Sequence, residues 1–98
     1  MKFDIEFTRA AFEALERLRK FDQRRIRDAL VVQLSQDPLQ VTRNRKMLRP
    51  GAPARWELRV GKHRVFYDVL EEEGVVRIVA IGYKEGSKLI ILDEEFES

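Results

Sequence analysis

Residues 55–67, Arg-Trp-Glu-Leu-Arg-Val-Gly-Lys-His-Arg-Val-Phe-Tyr, constrain the fold of this chain more than any other stretch. Apolar and polar residues alternate on both sides of Gly61-Lys62, as in two half-buried strands joined by a two-residue turn. That turn would pair Val60 with His63, Arg59 with Arg64, Leu58 with Val65 and Trp56 with Tyr67. Opposed residues share a face of the sheet. Arg55, Glu57, Arg59, Arg64 and Phe66 then lie on one face, and Trp56, Leu58, Val65 and Tyr67 on the other. Guanidinium groups set side by side repel one another unless an anion lies between them, so the pattern points to a polyanionic ligand.

The distribution of charge agrees. A net charge of +2 conceals +1 over residues 1–40, +7 over residues 41–67 and −6 over residues 68–98. In the middle block eight Lys/Arg face only Glu57, and such a block concentrates phosphate-bearing partners. Arg43, Arg45, Lys46, Arg49, Arg59 and Lys62 are the expected nucleic-acid contacts, with Phe66 as a base-stacking ring on the Arg64 face. The absence of cysteine and the single histidine argue against disulfides, a thiol nucleophile and a zinc site, and no cofactor or metal is implied.

Ninety-eight residues suit a single domain over 1–98. No apolar run approaches the roughly 20 residues of a membrane helix. The opening Met-Lys-Phe-Asp-Ile-Glu lacks the apolar stretch of a signal peptide, so a cytoplasmic protein with no membrane partner is expected. Phe3, Ile5 and Phe7 alternate with charged residues as a first strand. Thr8 is placed to cap a helix running to about Lys20, with Phe7 and Phe12 as its hydrophobic staple. Asp22 is read as the cap of a second helix, with Phe21 and Ile26 as staple, ending at Asp37-Pro38. Residues 39–54 read as loop. Strands follow at about 55–60 and 63–70, a tight connection at Glu71–Gly74, and a central strand from Val75 to Tyr83. Leu89–Leu92 fits a short strand or a helical turn, and Asp93–Ser98 is an acidic end. The expected architecture is α+β, in the order β-α-α-β-β-β, with a helical hairpin packed on a mainly antiparallel sheet.

Lys46-Met47-Leu48, Leu58-Arg59, the Gly-x-x-Arg-x-x-Tyr of Gly61 to Tyr67, and Ile81-Gly82-Tyr83-Lys84 occur in an order that resembles the RelE/ParE toxin superfamily of type II toxin–antitoxin systems. The resemblance covers nearly the whole chain and implies a RelE-like fold. It also implies a cognate antitoxin whose extended or helical segment wraps the toxin, and operator DNA bound only through the toxin–antitoxin complex. RelE-like members are metal-independent endoribonucleases that cut messenger RNA on the ribosome. ParE-like members poison DNA gyrase, and some members are inactive yet bind antitoxin.

A RelE-like reading assigns roles residue by residue. Arg64 matches the arginine on the scissile phosphate, Lys84 a second arginine, and Arg55 one of the catalytic lysines, whereas Glu57 stands where the other would be. Glu57 is a candidate base. Tyr83 stands where many relatives have a histidine and is a candidate proton donor. The C-terminal tyrosine common in RelE-type nucleases is replaced by Ile90, which has no proton to give. His63 falls on the face opposite Arg64 and is expected to flank the turn at the surface.

Overall fold

The computed structural model describes residues 2–92. The elements run β1 (Asp4–Phe7), α1 (Arg9–Glu16), α2 (Lys20–Leu34), β2 (Arg45–Met47), β3 (Trp56–Val60), β4 (His63–Leu70), a 3-10 turn at Glu71–Glu73, β5 (Val75–Glu85) and β6 (Lys88–Leu92). One sheet holds all six strands in the order β1-β5-β4-β3-β2. β1 runs parallel to the first half of β5, and β6 pairs antiparallel with its second half. The α+β class, the helical hairpin and the mainly antiparallel sheet are as the sequence implies.

The hairpin has the register expected of it, with Arg59 opposite Arg64, Leu58 opposite Val65 and Trp56 opposite Tyr67. Gly61 has φ +61° and among the described residues none other than glycine has positive φ, the pattern of a type II′ turn with glycine first. The apolar side of the hairpin builds the core. Leu58, Val65 and Tyr67 pack with Ile78 and Ile81 of β5 and with Leu15, Ile26, Leu30 and Leu34 of the helices. Trp56 stacks on Tyr67 with ring centroids 5.9 Å apart, and the Tyr67 hydroxyl donates to the Pro38 carbonyl at 2.9 Å. Burial pushes the Tyr67 pKa well up, so the hydroxyl stays a neutral donor.

A bulge lets β5 be apolar without interruption from Ile78 to Ile81. Phe66 pairs with Ala80 but Tyr67 pairs with Ile78, so Val79 is the extra residue. The slip brings both Ile78 and Ile81 to the helix side. Thr8 fastens α1 there: its amide donates to the Ile78 carbonyl at 2.9 Å, its hydroxyl to the Val79 carbonyl at 3.3 Å. The same hydroxyl caps α1 by accepting from the Ala11 amide at 3.2 Å, and Phe7 meets Phe12 edge-on as the expected staple.

Four expectations about the elements are corrected. The first helix stops at Glu16, a turn short of Lys20. α2 starts at Lys20 with Arg19 as its uncapped N-cap, so Asp22 lies inside the first turn, where it pairs with Arg19 and meets the positive end of the helix. Phe21 is 65% exposed and staples nothing. The stretch read as loop contains β2, an edge strand antiparallel to β3 that sets Lys46 opposite Glu57. Leu89–Leu92, left open between strand and helix, is strand, and the acidic stretch 93–98 lies outside the described residues.

Candidate functional site

The face of the sheet away from the helices carries the basic residues. Across it run two rows of neighbours: Lys46, Glu57, Phe66 and Ala80 in one, and Arg59, Arg64 and Gly82 in the next. Lys84, two residues beyond Gly82, falls on the same face. Arg43, Lys46, Arg49, Arg55, Arg59, Lys62 and Lys84 are all exposed. Arg43, Asn44, Lys46 and Arg59 rim a depression of about 50 Å³ whose wall includes Glu57. Strand β2 brings the first three of these beside the hairpin, which is why reading residues 39–54 as loop gave them no fixed position.

Arg64 and Glu57 form the centre. The Arg64 Nε lies 3.8 Å from a Glu57 carboxylate oxygen, and Lys46 Nζ lies 3.9 Å from the same oxygen. Their side chains are only 11% and 13% exposed. Arg64 Nη1 also donates to the Gly61 and His63 carbonyls, both at 2.9 Å. The guanidinium is therefore held in one orientation by its own turn and by the carboxylate. Pre-setting an arginine in this way lowers the entropy lost on gripping an anion.

Several proposed contacts fall elsewhere. Arg45 is buried, not a surface phosphate ligand: its guanidinium donates to the Asp37 carbonyl, and its Nε has no partner. Phe66 does lie on the Arg64 face, yet it is 1% exposed and offers no surface for a base. Tyr83 pairs with His63 and, like it, faces the helices, so the proposed proton donor is across the sheet from Arg64 and Lys84. His63 is 4% exposed instead of flanking the turn at the surface. Arg55 lies four residues from Arg59, about 13 Å along the strand. Its amide donates to Asp68 at 2.8 Å, and it lines a separate cleft of about 510 Å³ with Met47 and Trp56. It does not share a phosphate with Arg64.

A helical hairpin thus lies on one side of the sheet and a basic patch centred on Arg64 and Glu57 on the other, the architecture of a small α+β domain with a charged binding face. The sequence model of the ParE toxin of type II toxin–antitoxin systems, parDE, matches residues 5–86. The chain belongs to that family, within the RelE/ParE toxin superfamily. The fold matches a chain in the crystal structure of the toxin–antitoxin complex RelBE2 from Mycobacterium tuberculosis, with a TM-score of 0.73 and 24% identity over 90% of this chain and 95% of that one. No curated protein matches the sequence. Among the described residues no helix is long and apolar enough to cross a membrane.

Proposed function

We propose that this toxin arrests translation by binding messenger RNA on the ribosome and cleaving it without metal, and that a cognate antitoxin neutralises it by covering the basic face. The observation that supports this best is the fixed Arg64 beside Glu57 amid exposed cations. A 2′-hydroxyl has to lose a proton, the phosphorane gathers negative charge, and the 5′-oxygen leaves with a proton. Among the described residues Glu57 is the carboxylate that meets Arg64, and it takes the role of base. Arg64 and Arg59 stabilise the phosphorane, and Lys84 on the same face supplies the charge and proton on the leaving side. Lys46, Arg43, Arg49 and Lys62 hold flanking phosphates, and Arg55 holds one farther along the strand.

A second reading is favoured by two observations: Tyr83 lies across the sheet from Arg64, and the matching sequence model is that of a ParE toxin. In that reading the basic face binds without cutting and the target is gyrase. Purified protein added to a cell-free translation reaction separates the two. Discrete cuts in the message, abolished by Arg64→Ala and by Glu57→Gln, support cleavage. Intact message together with inhibited supercoiling by gyrase overturns it in favour of the second reading.

A further inference from the structure

The turn at Gly61-Lys62 is gripped by more than its own two strands. From the helix layer, the side chain of Arg25 in α2 reaches over Gly61. A Cβ added at Gly61 would lie 2.8, 2.9 and 3.0 Å from the Nη1, Nη2 and Cζ atoms of Arg25. A point that far from all three atoms, and nearly equidistant from them, lies above the guanidinium plane and not at its edge. Arg25 therefore lays its flat face on the α-carbon of Gly61. Glycine is required there twice: for its φ of +61°, and because any side chain would push the guanidinium away. A planar, weakly hydrated cation suits such a contact, which a lysine ammonium cannot reproduce. From the sheet, the Lys84 amide donates to the Lys62 carbonyl at 2.8 Å.

The same turn aims Arg64. Its Nη1 donates to the Gly61 and His63 carbonyls, which bracket Lys62. Gly61 thus carries Arg25 on its α-carbon and Arg64 on its carbonyl oxygen, so a side chain of α2 reaches the centre of the basic face through one residue of backbone. Gly61 and Lys62 are both exposed, and no packed side chain of their own steadies them. Rocking of the turn carries both acceptor carbonyls with it. The Arg64 guanidinium then leaves the orientation in which its Nε meets Glu57 at 3.8 Å.

We infer that Arg25 is a positioning residue for Arg64: by covering Gly61 it fixes the turn whose carbonyls orient the guanidinium on the basic face. Its consequence for RNA rests on the reading that this face binds messenger RNA; the ordering of Arg64 does not. Arg25 is exposed on α2, so Arg25→Ala and Arg25→Lys are both expected to fold. The direct readout is the NMR order parameter of the Arg64 Nε–H group, identified as the resonance lost in Arg64→Lys protein. That order is expected to fall in Arg25→Ala and to fall as far in Arg25→Lys, which keeps the charge but has no plane to lay on Gly61. Affinity for a short single-stranded RNA is expected to weaken about two- to tenfold in both variants, the cost of ordering one freed side chain on binding. An Arg64 Nε as ordered in Arg25→Ala as in the native chain overturns the inference. So does full recovery of that order in Arg25→Lys, because charge and not the plane is then the cause. If the native chain fails to bind the RNA, the RNA-binding reading falls, and the order of Arg64 still decides whether Arg25 positions it.

Discussion

Replacing Gly82 by alanine tests how β6 is seated on the sheet. Gly82 has no positive φ, so alanine suits its backbone; the difficulty is space. A Cβ there would lie 2.4 Å from the Ile90 carbonyl oxygen and 3.2 Å from its carbon. Ordinary contact begins near 3.4 Å, so the β6 backbone has to retreat by about 1 Å, and backbone does not swing aside as a side-chain tip does. Overpacking of this kind costs about 1–3 kcal/mol. Alanine recovers about 0.5–1 kcal/mol of that by restricting the unfolded chain. The net loss of about 1–2 kcal/mol corresponds to a fall in Tm of roughly 5–15 °C for a domain of this size. Thermal unfolding by circular dichroism gives the total, and amide hydrogen exchange locates it, because Ile90 and Ile91 pair with Tyr83 and Gly82. An unchanged or raised Tm with β6 amides as protected as before would refute the reasoning.

Other perturbations follow from the burial of polar groups. Tyr67→Phe removes the hydroxyl donor from the buried Pro38 carbonyl and is expected to cost about 1–3 kcal/mol in a urea unfolding experiment, with little change in m. Arg45→Met breaks the bond to the Asp37 carbonyl and lowers stability while leaving translation arrest per folded molecule intact; Arg59→Ala does the reverse. His63 has a folded pKa below its unfolded value of about 6.5, so the unfolded chain takes up the proton first and stability rises with pH. That contribution is present above pH 6.5 and is lost as pH falls toward the folded pKa. His63→Gln should flatten this part of the stability curve measured in a buffer free of phosphate.

The hairpin was legible because Gly61 fixes the turn, and a two-residue turn fixes the register of everything beside it. The same alternation placed the core residues Leu58, Val65 and Tyr67. β2 was not legible: Arg45-Lys46-Met47 is three residues with no apolar period, and it becomes strand only because β3 is there to pair with. A run of cations also does not reveal which of them tertiary structure buries. Arg45 resembles Arg43 in sequence and differs from it only through the Asp37 carbonyl it reaches after folding. Phe66 obeyed the alternation and still failed as a stacking ring, because being on a face is not the same as being open on it. The position of Tyr83 was not legible, because it depends on the register of β5 against β4, which sets Tyr83 opposite His63 and Gly82 opposite Arg64.

The pairing of β1 with β5 sets a schedule for the nascent chain. Asp4 meets Val75, and Phe7 meets Ile78, so β1 waits for β5 before it has a neighbour in the sheet. At about 5–20 residues per second the intervening chain takes roughly 4–14 s to synthesise. During that interval Leu15, Ile26 and Leu30 have helices to sit on but no complete sheet to cover them. Loop closure over so long a separation is a late event in folding. The basic face, which needs β3, β4 and β5 side by side, comes together in the same final step. A newly made molecule thus reaches its binding-competent form only once β5 has been made.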